Sequence, residues 1–232
     1  MRSDSSMMQP LLDGFAARAR TGDGLAAHRS PTPFADATPV AIDEREAAPG
    51  HPRDLHSTLL TRRSSLQYGD APVRTDLVLG LLRNALRRDS DDWGLDDDTG
   101  PLEAFVFALR SEGKPAGVYR VTAREVSFIA PASVVDDPEL LGVQREFADA
   151  GGIVSVYANI DRADSWAGSH GYRLCAVRAS MALYDFHLRC QSHGLVGTMF
   201  GGFIGSAVRN LVQSDGVTRH PLLAATYAHP AP

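Results

Sequence analysis

Two arginines and two hydroxyls stand together in the run Arg62–Ser65, between a predicted helix and a predicted loop. Guanidinium groups and hydroxyls beside free backbone amides can hold a phosphate through charge-assisted hydrogen bonds. The plain alternative is a solvated helix end whose arginines lie near the negative pole of the helix dipole. Arg62, Arg63 and Ser64 are therefore our candidate phosphate ligands.

A second candidate is the glycine-rich segment Gly197–Phe203, of sequence GTMFGGF. Two consecutive glycines at the end of a strand, Gly201 and Gly202, allow backbone amides to approach a flat ligand closely. An ordinary tight turn would explain the same two residues. The sequence contains neither GxGxxG nor GxxxxGK[ST], so it lacks the common dinucleotide and P-loop motifs.

The remaining reactive side chains are scattered. Cys175 and Cys190 form neither a CxxC pair nor a disulfide framework, and the histidines show no metal-ligand spacing. Lys114 is the only lysine, so a mechanism that needs a lysine base has one candidate. Asp185 and His187 fall in one predicted helix at a spacing that does not bring them face to face, which argues against a catalytic pair.

Length and composition exclude several classes of protein. The chain has 232 residues, 44% of them hydrophobic, which suffices for one core and is too short for two large domains. The formal net charge of −5 provides no general basic field for a nucleic acid. No apolar stretch approaches the roughly 20 residues of a membrane span, and none resembles the core of a signal peptide. We expect a soluble, cytoplasmic protein with no nucleic-acid or membrane partner.

The N-terminal quarter of the chain differs from the rest. Residues 1–54 mix Pro, Ala, Asp, Arg and Gly without a sustained helical or strand period. Such a segment cannot bury enough apolar area to offset the entropy lost on ordering. We therefore expect a flexible extension, or one draped over the body, ahead of a domain at 55–232.

Helical and strand patterns alternate from Leu55 onward, which indicates an α+β or α/β fold. The apolar period predicts helices over 76–88, 138–150, 172–194 and 205–212. Strands are predicted over 102–110, 116–122, 124–130, 151–159, 195–200 and 221–228, with the second and third paired as a hairpin. The acidic run 89–98 is predicted to be a solvated loop. The helix over 172–194 is apolar on most faces, so we expect it at the domain centre or a subunit interface.

Four motifs occur in a characteristic order: RRSSLQY at 62–68, GVYR at 117–120, GYRL at 171–174 and HGLVGTMFGGF at 193–203. In this order the sequence resembles the flavoproteins of the nitroreductase superfamily. It is most similar to the branch of azoline dehydrogenases, which oxidise thiazolines and oxazolines in ribosomally made peptides. The resemblance covers roughly residues 55–228.

The resemblance implies an α+β fold with a central, mostly antiparallel sheet flanked by helices, assembled as an intertwined homodimer with FMN at the subunit interface. Carried over by position, Arg62, Arg63 and Ser64 match the family's flavin-anchoring RxS stretch. Gly201 and Gly202 match the segment whose backbone lies beside flavin N5, where an amide donor would tune the arrival of hydride. The implied reaction moves hydride from a substrate carbon to N5, while a protein group or water takes the proton.

Several positions depart from the pattern of the azoline dehydrogenases. Those enzymes carry a Lys-Tyr pair, credited with proton transfer, where this chain has Trp166 and Ala167. Neither side chain can act as an acid or base. Leu66 replaces a basic residue expected four places after Arg62, and the ending TYAHPAP lacks the late Arg or Lys that many relatives direct at the phosphate.

Other residues would then take over proton transfer. The candidates are Tyr172, His170, Tyr68, Tyr184 and His193. Trp166 lies where the family places its catalytic segment and would form an aromatic wall for the substrate.

Three functions stay open at this point. The first is an FMN-dependent dehydrogenase that tailors a modified peptide or related small molecule, within a biosynthetic complex. The second is a homologue with a degenerate flavin site that acts as a non-catalytic binding or scaffold partner. The third is a reductase of nitro or quinone compounds that uses NAD(P)H and needs only an open flavin face.

Overall fold

A computed structural model of the chain describes residues 29–42, 52–94, 100–135, 137–204, 206 and 208–232, apart from the side chains of Leu140, Trp166 and Ser169. The strands in chain order are β1 (Thr38–Pro39), β2 (Val73–Arg74), β3 (Leu102–Ala108), β4 (Ser111–Glu112), β5 (Gly117–Val121), β6 (Val126–Pro131), β7 (Gly152–Ala158), β8 (Met199–Phe200) and β9 (His220–Tyr227). Seven of them form one antiparallel sheet in the order β1-β6-β5-β3-β7-β9-β8, and β2 pairs with β4 in parallel. The predicted central antiparallel sheet and the β5–β6 hairpin are confirmed.

The α-helices of the described residues are α1 (Leu55–Thr61), α2 (Thr75–Asp92), α3 (Ile160–Ala167) and α4 (Gly171–Ser192). Helices α2 and α4 confirm the predictions made over 76–88 and 172–194. None of the helices in the described ranges is both long and apolar enough to cross a membrane.

The two faces of the sheet are covered differently. On one face, α2 and α4 bury apolar residues such as Leu82 and Leu183 against Val106 and Val154. Because side chains alternate along a strand, Phe105 and its neighbours point to the opposite face. That face is covered by short 3₁₀ helices and turns rather than by α-helices. The long helix α4 therefore lies against the sheet, and its outer side remains exposed.

The prediction of one helix over 138–150 is wrong. Two short 3₁₀ helices, Pro138–Leu141 and Arg145–Asp149, occupy this segment. Between them Gly142 is extended and forms a β-bridge with Phe203. Backbone groups that would close a continuous helix are used in this pairing with the glycine-rich segment, so tertiary contacts override the local apolar period.

The helix predicted over 205–212 is also not formed in the part that is described. Residues 208–213 are turns, although the Val212 amide donates one helical bond to the Val208 carbonyl at 2.9 Å. Gln213 then takes a positive φ of 51°, which ends any helical course. The strand predicted over 195–200 is shorter, with regular pairing only in β8.

The acidic run 89–98 is not a solvated loop throughout. Helix α2 continues to Asp92, and Asp89 is buried against Arg178 of α4. The Asp89 carboxylate accepts from the Arg178 Nε and Nη2 at 3.1 and 2.5 Å. A buried arginine needs a carboxylate partner, and Asp89, the first acidic residue of the run, is buried to provide it. Residues 95–99 lie outside the described ranges.

Residues 29–42 of the N-terminal segment run across the body and add β1 to β6. Phe34 packs edge-on against Phe105, with ring centroids 5.9 Å apart. The buried Arg219 guanidinium lies over the Phe34 ring at 4.4 Å and donates to the Thr32 carbonyl at 2.6 Å. These contacts attach the described part of the segment to the sheet face opposite α4.

Candidate functional site

The predicted phosphate ligands lie at the C-terminal end of α4. Helix α1 closes with a bond from the Arg62 amide to the Thr58 carbonyl (2.8 Å), and the chain then continues in an extended conformation. The side chain of Gln191, in the last turn of α4, accepts from the Arg63 amide at 3.2 Å. The same side chain donates to the Arg63 carbonyl at 2.8 Å. The backbone after α1 is thus held on both sides of Arg63.

A second set of contacts joins this segment to the glycine-rich strand. The Ser65 amide donates to the Gly197 carbonyl at 3.0 Å. The Tyr68 hydroxyl lies 2.9 Å from the Thr226 hydroxyl, which also accepts from the Thr198 amide at 2.9 Å. The structure therefore brings the two predicted cofactor-binding segments side by side.

Arg62 and Ser64 flank the clamped residue. Arg62 is half-buried and Ser64 is exposed. Within the described part of the chain, neither the guanidinium nor the hydroxyl has a hydrogen-bond or ion-pair partner. The exposed Arg63 guanidinium, in contrast, donates to the carbonyls of Leu60 and Arg62 at 3.4 and 2.9 Å. A cation and a hydroxyl without internal partners fit the chemistry of a bound phosphate.

A buried histidine and two arginines lie at this corner, where the C-terminal ends of α1 and α4 meet. His187 is buried in α4 next to the clamp, and its Nε2 lies 2.9 Å from the Gln191 Nε2. Burial, and to a smaller extent the charge of Arg62, lower the pKa of His187 to about 4. The imidazole is therefore neutral at neutral pH and acts as the acceptor for the Gln191 amide. The positive charge of the corner comes from the two arginines.

The glycine pair lies at the end of β8, after Phe200. Gly201 is exposed, and a Cβ placed on it would meet nothing within 4 Å among the described residues. At Gly202 a Cβ would collide with the Val143 side chain, whose own amide donates to the Gly202 carbonyl at 3.0 Å. Open space at one glycine and a close approach at the other leave a backbone edge on which a flat ligand can rest.

The predicted catalytic residues lie elsewhere. Tyr172, in the first turn of α4, is 53% exposed and contacts the His220 ring edge-on at 5.6 Å. His170 precedes the helix, with its Nδ1 3.1 Å from the Arg173 guanidinium. Trp166 belongs to α3, which packs beside the start of α4. The three positions thus gather at the N-terminal end of α4.

Helix α4 separates the two halves of the predicted site within one chain. Tyr172 and Gln191 are nineteen positions apart on the same α-helix, which at 1.5 Å per residue is about 28 Å. A single chain therefore brings the cofactor-binding residues together but does not bring the predicted catalytic residues to them.

The other acid–base candidates lie nearer the phosphate corner. Tyr68 is partly buried, and desolvation raises its pKa. The Tyr184 ring lies nearly parallel to the His187 ring, with centroids 6.5 Å apart. His193 caps α4, and its pKa is lowered by burial and by the nearby charge of Arg189.

The resemblance led us to expect a basic residue at position 66 and another near the end of the chain, and neither position holds an Arg or Lys. Leu66 is 40% exposed next to the clamp. The end of the chain reaches the same corner, because the Gly69 amide donates to the His229 carbonyl at 2.8 Å and Tyr68 forms a β-bridge with Pro230. The terminal segment therefore contributes backbone contacts to this corner but no Arg or Lys.

Sequence reasoning missed Gln191, His187 and Thr226, which organise the corner. A polar residue inside a long helix or strand carries no local signal of its partner, and here the partners are more than a hundred residues away for Gln191. In the ranges that the structure covers, no group of three or more His, Cys, Asp or Glu is placed to hold a metal ion.

No protein-family model matches the sequence, and no curated relative matches it. Solved structures do match. A protein from Anabaena variabilis named as a nitroreductase superposes with a TM-score of 0.67 at 19% identity, over 95% of this chain and 47% of that one. A second, from Ralstonia eutropha and also named as a nitroreductase, gives 0.58 at 16% identity, over 90% of this chain and 97% of that one.

The nitroreductase NfrA1 of B. subtilis gives a TM-score of 0.53 at 14% identity, over 77% of this chain and 67% of that one. The chain spans about half the length of the Anabaena protein that it matches. At these identities the likeness concerns the fold, and the expected nitroreductase-like α+β fold is confirmed.

Proposed function

From the nitroreductase fold of this chain, we propose that it is an FMN-dependent oxidoreductase. The observation that carries the proposal is that the Arg62 guanidinium and the Ser64 hydroxyl have no partner among the described residues, on a backbone that Gln191 clamps and that Ser65 bonds to the start of the glycine-rich segment. When bound, FMN supplies a site that accepts or donates hydride. Arg62 would bind and neutralise the phosphate, while the backbone at Gly201 and Gly202 would orient the ring.

We propose that a homodimer completes the active site. The outer side of α4 exposes Val177, Met181 and Tyr184, which lie at helical spacing on one face. Leu55 and Leu59 of the neighbouring α1 are also exposed. Exposed apolar residues that follow one face of a helix are typical of a protein interface. It is consistent with an interface centred on α4.

A two-fold dimer across α4 would solve the separation of the two half-sites. A two-fold axis perpendicular to the helix places the partner's α4 antiparallel to this one. The N-terminal end of one α4, with Tyr172 and His170, then approaches the C-terminal end of the other, with Arg62. In this arrangement Tyr172 or His170 of one subunit would transfer a proton in the active site that its partner completes, and the side chain of Trp166, the third predicted catalytic residue, lies outside the described part of the structure.

For the substrate, we propose a modified peptide or a related small molecule that undergoes azoline-type oxidation, in a biosynthetic complex. The order of the four sequence motifs supports this class. The names of the Anabaena, Ralstonia and B. subtilis proteins favour the second candidate, a reductase of nitro or quinone compounds. We also propose a cytoplasmic location, where the two free buried thiols Cys175 and Cys190 would stay reduced.

The first test is the visible spectrum of the purified protein with and without added FMN. We expect a flavin spectrum, and we expect Arg62→Ala to weaken FMN binding by about 10- to 100-fold, the effect of one lost charged contact. Arg87→Ala, on the exposed side of α2, is the matched control and should retain full occupancy. A colourless protein that does not bind added FMN would refute the proposal and favour the hypothesis of a non-catalytic scaffold.

A second test separates the two enzymatic candidates. The FMN-loaded protein is mixed anaerobically with NADPH, and separately with an azoline-containing peptide. Bleaching of the flavin by NADPH alone supports the nitro or quinone reductase. Bleaching by the peptide, with formation of the azole, supports the dehydrogenase, and Tyr172→Phe should then change the pH profile of that step.

A further inference from the structure

We propose that Gln191, supported by His187, is a positioning residue that holds the Arg62–Ser64 segment in the conformation that binds phosphate. This inference rests on the proposed function, because the phosphate is that of FMN. The side-chain amide of Gln191 is bonded to the Arg63 backbone and to His187. It acts through the backbone of Arg63, which lies between the two proposed ligands.

The geometry of Gln191 is that of a two-sided clamp. Its Oε1 accepts from the Arg63 amide at 3.2 Å, and its Nε2 donates to the Arg63 carbonyl at 2.8 Å. One side chain thus supplies both hydrogen bonds that a neighbouring strand would give to this residue. The two bonds hold the peptide units before and after the Arg63 Cα. They therefore fix the backbone from which the Arg62 and Ser64 side chains project.

His187 fixes Gln191 in turn. The two residues are one helical turn apart on α4, and the Gln191 Nε2 lies 2.9 Å from the His187 Nε2. Since an amide nitrogen donates, the imidazole accepts at Nε2 and carries its proton at Nδ1. Both residues are buried, so the orientation of the Gln191 amide is set by the two groups it bonds. The low pKa of His187 is consistent with this acceptor role.

The segment needs such a clamp because its own structure is weak. Helix α1 is seven residues long, and isolated helices of this length are unstable in water. After Arg62 the chain enters no regular strand, and its next backbone bond to the body is from Ser65 to Gly197. Without Gln191, the residues from Arg62 to Ser64 would be tied down only at their ends.

The test compares Gln191→Ala with Cys190→Ala. Cys190 is the adjacent residue of α4, and it is buried in the core with no bond to the Arg63 backbone. Both substitutions truncate a buried side chain at the same end of the helix. Dissociation constants for FMN are measured by flavin fluorescence, Tm by calorimetry, and the exchange rate of the Arg63 amide by NMR.

We expect Gln191→Ala to bind FMN about 10- to 100-fold more weakly, from the loss of two neutral hydrogen bonds that orient the ligands. The Arg63 amide should exchange faster. Cys190→Ala should lower Tm by at least as much and keep its FMN dissociation constant within about twofold of the wild type. Equal FMN binding by Gln191→Ala and wild type, or equal weakening in both variants, would overturn the inference.

A second pair of variants tests the role of His187. His187→Gln keeps an acceptor for the Gln191 amide, whereas His187→Leu fills similar space without one. We expect His187→Gln to restore FMN affinity to near that of the wild type, and His187→Leu to weaken it several-fold. Equal affinities in the two variants would refute the supporting role. If the wild type itself binds no FMN, the proposed function fails and this inference falls with it.

Discussion

Replacing His187 by Gln should change how the stability of the protein depends on pH. The folded-state pKa of His187 is about 4, lowered by burial and then by Arg62, against 6.5 for the unfolded chain. As the pH falls below 6.5 the unfolded chain gains a proton that the folded chain does not bind. The stability is therefore intact above pH 6.5 and is lost progressively as the pH falls toward 4.

The size of the effect follows from the difference between the His187 pKa of 6.5 in the unfolded chain and about 4 in the folded protein. At 1.36 kcal/mol per pKa unit, the whole loss is about 3 kcal/mol. Integrated only from pH 7 to pH 5, where most proteins remain folded, it is about 2 kcal/mol. Carboxylates also titrate in this range, but their contribution is common to the wild type and the His187→Gln variant and cancels in the difference.

The assay is urea unfolding of both proteins at pH 7, 6 and 5. We expect the free energy of unfolding of the wild type to fall by about 2 kcal/mol more than that of His187→Gln over this range. The glutamine removes the titration and keeps the acceptor for Gln191. Parallel curves would show that folding does not lower the pKa of His187, and would refute the assignment of a buried neutral acceptor.

Three further predictions concern packing and assembly. Arg178→Met leaves the buried Asp89 carboxylate unpaired. In urea titrations we expect this variant to lower the free energy of unfolding by about 3 to 5 kcal/mol. The double variant Arg178→Met with Asp89→Leu should recover much of this loss. Met181→Glu places a charge on the exposed side of α4. Light scattering should then show a monomer for this variant and a dimer for the wild type. An unchanged molar mass would contradict an interface on α4. Gly197→Ala puts a Cβ against the Thr226 carbonyl, so we expect a lowered Tm together with weaker FMN binding, whereas an unchanged Tm would contradict the close approach.

The sequence predicted those elements whose pattern is local. The helical spacing of Leu77 and Leu81 identified α2, and the alternating residues of β5 and β6 identified the hairpin. The failures share one cause, which is a partner distant in the chain. Asp89 sits in an acidic run that looks solvated, yet the structure buries it because Arg178 on α4 needs a carboxylate. The apolar residues around Gly142 look helical, yet their backbone pairs with the glycine-rich strand.

The candidate site divides in the same way. The motifs point to Arg62, Ser64 and the two glycines as candidates, and the structure joins their segments through the bond from the Ser65 amide to the Gly197 carbonyl. Gln191 could not be recognised, because its role is defined by the Arg63 backbone 128 positions away. Nothing in a helical period distinguishes a glutamine that clamps a distant loop from one that faces water.

The departures from the azoline-dehydrogenase pattern fall at both ends of α4, because Leu66 and the end of the chain lie at the phosphate corner and the replaced Lys-Tyr pair does not. The replaced Lys-Tyr pair lies in α3, next to the N-terminal end of α4, where the chain has Trp166 and Ala167. Arg62, which has no hydrogen-bond or ion-pair partner among the described residues, lies at the other end of α4, on a backbone held by the Gln191 side chain. In our proposed dimer, each active site takes one end from each subunit, so the residues that transfer a proton can change without a change at Arg62. FMN binding by Arg62 should therefore survive substitutions at Tyr172 and His170 that abolish turnover, and a coupled loss of both would contradict this division.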